Sequence, residues 1–107
     1  MSAKYKVKKY YNKLLVARMP HNETYILICI VLDSLLCYLY INHGLEDKLY
    51  DSIPVKIYTL QEIGVLDKQI DKYYNVITCG INEDNGIEEL YNFKMEIISM
   101  CKRIMRY

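Results

Sequence analysis

Between Tyr25 and Ile41, seventeen residues carry only Asp33 and Ser34 as plainly polar side chains, and this run constrains the fold more than any other feature. Such a segment must lie in a protein core or in a bilayer. A spanning helix needs ~20 mostly apolar residues, and a carboxylate at mid-bilayer costs roughly 3 kcal/mol on insertion scales. The run is shorter than that, with Asp33 and Ser34 at its centre. A buried core segment of a soluble protein is therefore expected, and no membrane partner, even though the basic stretch before it would suit a signal anchor.

The 107 residues, 52% of them hydrophobic and 25% charged, match one domain with a full core and exclude a disordered chain. Residues 1–107 read as a single domain, with a basic N-terminal element over 1–20 and the core over 25–106. Twelve Tyr against one Phe and no Trp, with abundant Ile and Lys, reflect the codons of a low-GC genome better than selection for a tyrosine-rich face.

Formal charge is +1, but it is unevenly spread. Lys4, Lys6, Lys8, Lys9, Lys13 and Arg18 stand in the first twenty residues without an acid, and Lys102, Arg103 and Arg106 close the chain. All thirteen acids lie between. Basic ends and an acidic middle can steer a polyanion to the termini, or set the ends of one copy against the middle of another in a homodimer.

Cys29, Cys37, Cys79 and Cys101 are widely spaced, without a C-x-x-C pair, and each lies among apolar residues. They read as buried thiols of a reducing, cytoplasmic compartment rather than a disulfide scaffold.

Turn signals at Pro20–Glu23, Asn42–Gly44, Ser52–Pro54, Gly64 and Asn82–Gly86 divide the chain. Residues 86–106 predict a helix: apolar Ile87, Leu90, Tyr91, Ile98, Cys101 and Met105 on one side, and Glu88, Asn92, Glu96, Ser99 and Arg103 opposite. Residues 25–43 fit either one buried helix, apolar all round, or a strand over 25–32 followed by a helix capped at Asp33 or Ser34. The split is preferred because similar units follow. Ile53–Tyr58 reads as a strand before a capping-box spacing at Thr59–Glu62, and Asn75–Cys79 as a strand before the last helix. The resulting expectation is an α/β fold, a small three-layer domain with a short parallel sheet and an extra N-terminal element. An all-α helical bundle is the alternative, and α+β a third. Residues 1–20 form either a helix with Lys6, Lys9 and Lys13 outward or one arm of a hairpin about Pro20.

The stretch Val55–Ile63, followed by Asp71–Thr78, resembles the middle of phosphotransferase-system IIB domains, above all degenerate IIB-like domains attached to transcription regulators. The resemblance implies a phosphorylated cysteine at the end of the first strand, near Cys29. Ile30-Val31-Leu32-Asp33 stands where that family has the small residues that cradle phosphate, so the resemblance implies a silent copy. A response-regulator receiver is similar around Val76–Leu90, with Cys79 and Gly80 where its phosphate-accepting Asp would fall.

No assembled chemistry is legible. His21 and His43 lie beside turn signals without ligand partners at short spacing. A calcium loop registered on Gly86 would put Ile81 and Asn92 at positions that require carboxylates. Four glycines do not spell a phosphate loop. No cofactor is expected, and no enzyme. Cys29 is the one nucleophile that can be written down. The expected function is a non-catalytic interaction module that binds and regulates or inhibits a larger macromolecular partner, with the basic ends or the acidic middle as the contact. Nucleic-acid binding by the basic, tyrosine-interleaved N-terminal segment is an alternative, and an IIB-like phosphocarrier using Cys29 is another.

Overall fold

The computed structural model describes residues 2–81 and 86–107. Among them there is no strand. The chain forms α1 (Ala3–Leu15), α2 (His21–Asn42), α3 (Ile53–Glu62), α4 (Tyr74–Cys79) and α5 (Gly86–Met105), with 3₁₀ turns at Glu46–Lys48 and Gln69–Tyr73. The expected α/β domain with a parallel sheet is thus corrected to the all-helical alternative.

The correction begins in the apolar run. Residues 25–41 continue as one helix, because neither polar residue stops it. Ser34 Oγ donates back to the Ile30 carbonyl at 2.7 Å, and Asp33 accepts from Lys56 Nζ on α3 at the same distance. A helix that is apolar on every side needs cover on every side. α1, α3 and α5 all pack on α2, and Ile28, Val31, Leu32, Leu35, Leu36 and Tyr40 lie at the centre of the core. By length and composition α2 could cross a membrane, but half of its most apolar window is buried by these neighbours. The helix stops where Gly44 turns left-handed at φ 75° and the Leu45 N–H bonds the Tyr40 carbonyl at 2.9 Å.

The other two expected strands are helical for local reasons. Ser52 Oγ accepts the Val55 N–H at 3.4 Å and Pro54 occupies the first turn, so Ile53–Glu62 is a capped helix. Thr59 and Glu62 are in its last turn and cap nothing. Residues 74–79 form α4, anchored where the Tyr25 hydroxyl donates to the Val76 carbonyl at 2.7 Å.

The N-terminal segment takes its helical reading. Ser2 Oγ caps α1 by accepting the Tyr5 N–H at 3.2 Å, and Val7, Tyr11 and Leu14 enter the core. The basic element is therefore part of the core packing rather than an appendage. Its short link to α2, residues 16–20, makes the two helices an antiparallel hairpin. α5 begins at Gly86 and ends at Met105, as the periodicity predicts. Residues 82–85, which hold all of the turn expected over Asn82–Gly86 except Gly86 and part of the calcium-loop register, lie outside the described residues.

Candidate interaction surface

α3 crosses the second half of α2 and presses Lys56 into the core, where it is 2% exposed. Its ammonium donates to Asp33 Oδ1 at 2.7 Å and to Cys37 Sγ at 3.2 Å. Burial alone would lower the Lys56 pKa, but the hydrogen bonds and charge of Asp33 and Cys37 outweigh it and hold it above the ordinary value. The result is a permanently charged strut between helices, unsuited to act as a base or amine nucleophile.

Two of the thiols, Cys29 and Cys101, are poorly suited to nucleophilic chemistry. Burial pushes Cys29 up and Cys101 up to about 12, so both stay protonated at neutral pH. Cys29 lies in mid-helix, where backbone amides are spent on the i−4 carbonyls and cannot hold a phosphate. The phosphocarrier geometry implied by the IIB resemblance is therefore missing at Cys29. The expectation of four buried thiols also needs correction: Cys101 is buried, Cys29 and Cys37 are half-buried, and Cys79 is exposed. His21 and His43 are exposed at the two ends of α2, and no group of three potential metal ligands comes together among the described residues.

Of the nine basic residues all but half-buried Lys9 are exposed, and folding brings the two ends of the chain together. Tyr107 packs on Tyr11 with ring centroids 4.7 Å apart, and Lys8 Nζ lies 4.1 Å from the Tyr107 ring centre. Lys4, Lys8, Lys102, Arg103 and Arg106 are exposed on these two helix ends. Arg103 alone of the nine expected contacts approaches a described carboxylate, Glu96, at 3.9 Å. Lys6, Lys13 and Arg18 border the groove between α1 and α2, and Lys9 and Lys13 lie 5.6 and 5.3 Å from the Tyr10 ring centre.

The feature that sequence reasoning missed lies beside those bases. Ile26 on α2 is 55% exposed and stands where three hollows meet. One, of about 430 Å³, runs against α1 and its link, with Val16, Met19, Lys13, Arg18 and Glu23 on its wall. A second, about 530 Å³, is walled by Tyr25, Ile81 and Ile87. The third, about 580 Å³, reaches toward Asp33, Asp51 and Lys56. Val16 is 78% and Ile87 68% exposed, so the valley has an apolar floor and apolar shoulders. Ile87 and Tyr91 were expected on the core side of α5 and Glu96 outside. The structure reverses them, because the buried stripe runs through Leu90, Phe93, Ile97, Met100 and Cys101. A partial signal was available: a helix apolar all round must expose some apolar residues wherever its neighbours run out.

Comparison with family models, curated proteins and solved structures finds no match to this chain. The described arrangement offers an apolar valley whose rim carries Lys13, Arg18 and Glu23.

Proposed function

We propose that this chain is a non-catalytic interaction module that binds a larger protein partner through the α1–α2 valley. The observation that carries the reading is the exposure of Ile26 amid three adjoining hollows. Monomeric proteins rarely leave contiguous apolar surface of this kind uncovered without a use for it. Lys13, Arg18 and Glu23 on the rim favour a partner surface of mixed charge. The free thiols suit a cytoplasmic setting.

Covering the exposed half of Ile26 supplies ~1 kcal/mol, and placing a carboxylate there costs more. A host protein captured by the wild type, then purified, is expected to lose at least roughly tenfold affinity against Ile26→Glu, with helicity unchanged. Equal affinity for the two forms refutes the valley as the docking site.

Nucleic-acid binding is the second reading, favoured by the lysines of α1, none of which approaches a described carboxylate. The tyrosine half of that idea is weakened, since Lys9 and Lys13 already attend the Tyr10 ring and Lys8 that of Tyr107. What remains is phosphate contact. Binding should then fall steeply with salt and vanish when Lys6, Lys9 and Lys13 become Glu; salt-insensitive binding ends this reading.

A further inference from the structure

We propose that Cys37 is a site of oxidation by hydrogen peroxide, where Lys56 and Asp33 hold the sulfenic acid that forms. The observation behind this is an unsatisfied buried donor beside a thiol. The Lys56 ammonium has three N–H groups and is 2% exposed. Among the described residues only Asp33 Oδ1, at 2.7 Å, and Cys37 Sγ, at 3.2 Å, accept from it. A buried donor without an acceptor is costly, and sulfur is a weak acceptor. Both the third N–H and the poor bond to sulfur are improved by an oxygen at this spot. Asp33 supplies the complement. It is 44% exposed, and only its Oδ1 takes a bond among the described residues, which leaves Oδ2 to accept another. Asp33 and Cys37 stand one turn apart on α2 and bond the same nitrogen, so all three groups border one point.

An oxygen on Cys37 Sγ suits both neighbours. It accepts the ammonium N–H in a charge-assisted bond, and its own O–H donates to the Asp33 carboxylate. The hollow of about 580 Å³ that Asp33 and Lys56 line leaves space beside them, and Cys37 is half-buried, within reach of a molecule as small as peroxide. In the reaction the sulfur attacks one peroxide oxygen, and the S–O bond forms as the O–O bond breaks. The departing hydroxide takes the thiol proton and leaves as water, so sulfur loses the electron pair that peroxide gains. Lys56 stays an ammonium held by Asp33, so no S–N bond follows. Cys29, two turns back along α2, lies roughly 12 Å away, too far to close a disulfide.

Cys29 is the internal control, half-buried on the same helix but bonded by no described ammonium. The full chain is used with exposed Cys79→Ser, so that no thiol of a neighbouring molecule captures the sulfenic acid. It is treated with hydrogen peroxide, the excess is removed with catalase, and the protein is unfolded in urea containing excess dimedone, which adds to sulfenic acids. Access of the probe to the folded site then plays no part, and peptide mass mapping measures the adduct at each cysteine. Cys37 should carry at least roughly tenfold more adduct than Cys29. Lys56→Met should bring Cys37 down to the Cys29 level with helicity unchanged. Equal adduct at the two cysteines overturns the proposal, and that comparison within one molecule needs no Lys56 variant. Cys37 recovered only as free thiol or as sulfinic acid also overturns it. So does a folded Lys56→Met chain labelled at Cys37 as fully as the parent.

Discussion

Cutting Asp33 back to Ala should destabilise the protein more than removing the charge it neutralises. Lys56 is 2% exposed and its ammonium has two partners, Asp33 and Cys37. Without Asp33, a buried cation keeps only a thiol. Breaking a fully buried ion pair costs about 3–5 kcal/mol. Asp33 is 44% exposed, so water already weakens the pair, and about 2 kcal/mol is the better expectation. Lys56→Met removes the cation, keeps most of the packed stem and leaves Asp33 at the solvent edge. That change should stay within about 1 kcal/mol of wild type. Asp33→Ala with Lys56→Met should therefore be more stable than Asp33→Ala alone. Urea unfolding followed by far-ultraviolet circular dichroism reads all four corners of the cycle. If Lys56→Met is as damaging as Asp33→Ala, or if the two losses add, the strut acts through stem packing and the electrostatic argument fails.

Phe93 is fully buried and its ring lies 5.7 Å from that of Tyr73, so Phe93→Ala should cost about 4 kcal/mol in the same denaturation assay. A loss below about 1 kcal/mol would contradict its place in the core. In timed thiol labelling of the native protein, Cys79 should react first, Cys29 and Cys37 more slowly, and Cys101 only on unfolding; early modification of Cys101 would refute its burial. Alkali should destabilise the fold. Burial pushes Cys101 and Tyr25 each up to about 12, so each contributes stability below its unfolded pKa that is lost as pH rises toward the folded value. The midpoint temperature should start to fall near pH 9, and Cys101→Ala should flatten the first part of that fall. An unchanged profile in the variant would show that the buried thiol is not linked to folding.

What the sequence reveals depends on whether the signal is local. α5 is legible because its apolar period, its leading acids and its trailing bases agree over twenty residues. α1 is legible as one of two readings. Tyr25–Ile41 misleads because β-branched residues such as Ile26, Ile28, Ile30 and Val31 suit a buried strand and a buried helix alike; periodicity does not separate the two. The deciding facts are non-local: Lys56, twenty-three positions away, gives Asp33 a reason to stay inside a helix. Around Pro54 the local signal was present and misassigned, since Ser52 with Pro two residues on marks a helix start. The basic residues of the rim could be read from composition. The valley could not, because exposure of Ile26 depends on which elements reach it.

Element lengths explain that exposure. α2 has 22 residues, a rod of roughly 33 Å, whereas α3 has 10 and α4 has 6, roughly 15 and 9 Å. α1 lies along one side of the rod, and α3 is committed to its second half by the Lys56–Asp33 contact. α4 is held by the Tyr25 hydroxyl. No described helix covers Ile26, which stays 55% exposed. Lengthening α3 would not close the gap, because its register is pinned by a buried charge, and moving α4 would strip the Tyr25 hydroxyl of its carbonyl partners. The uncovered apolar floor is thus built into the same contacts that hold the helices in place. A partner can cover it without disturbing any of them.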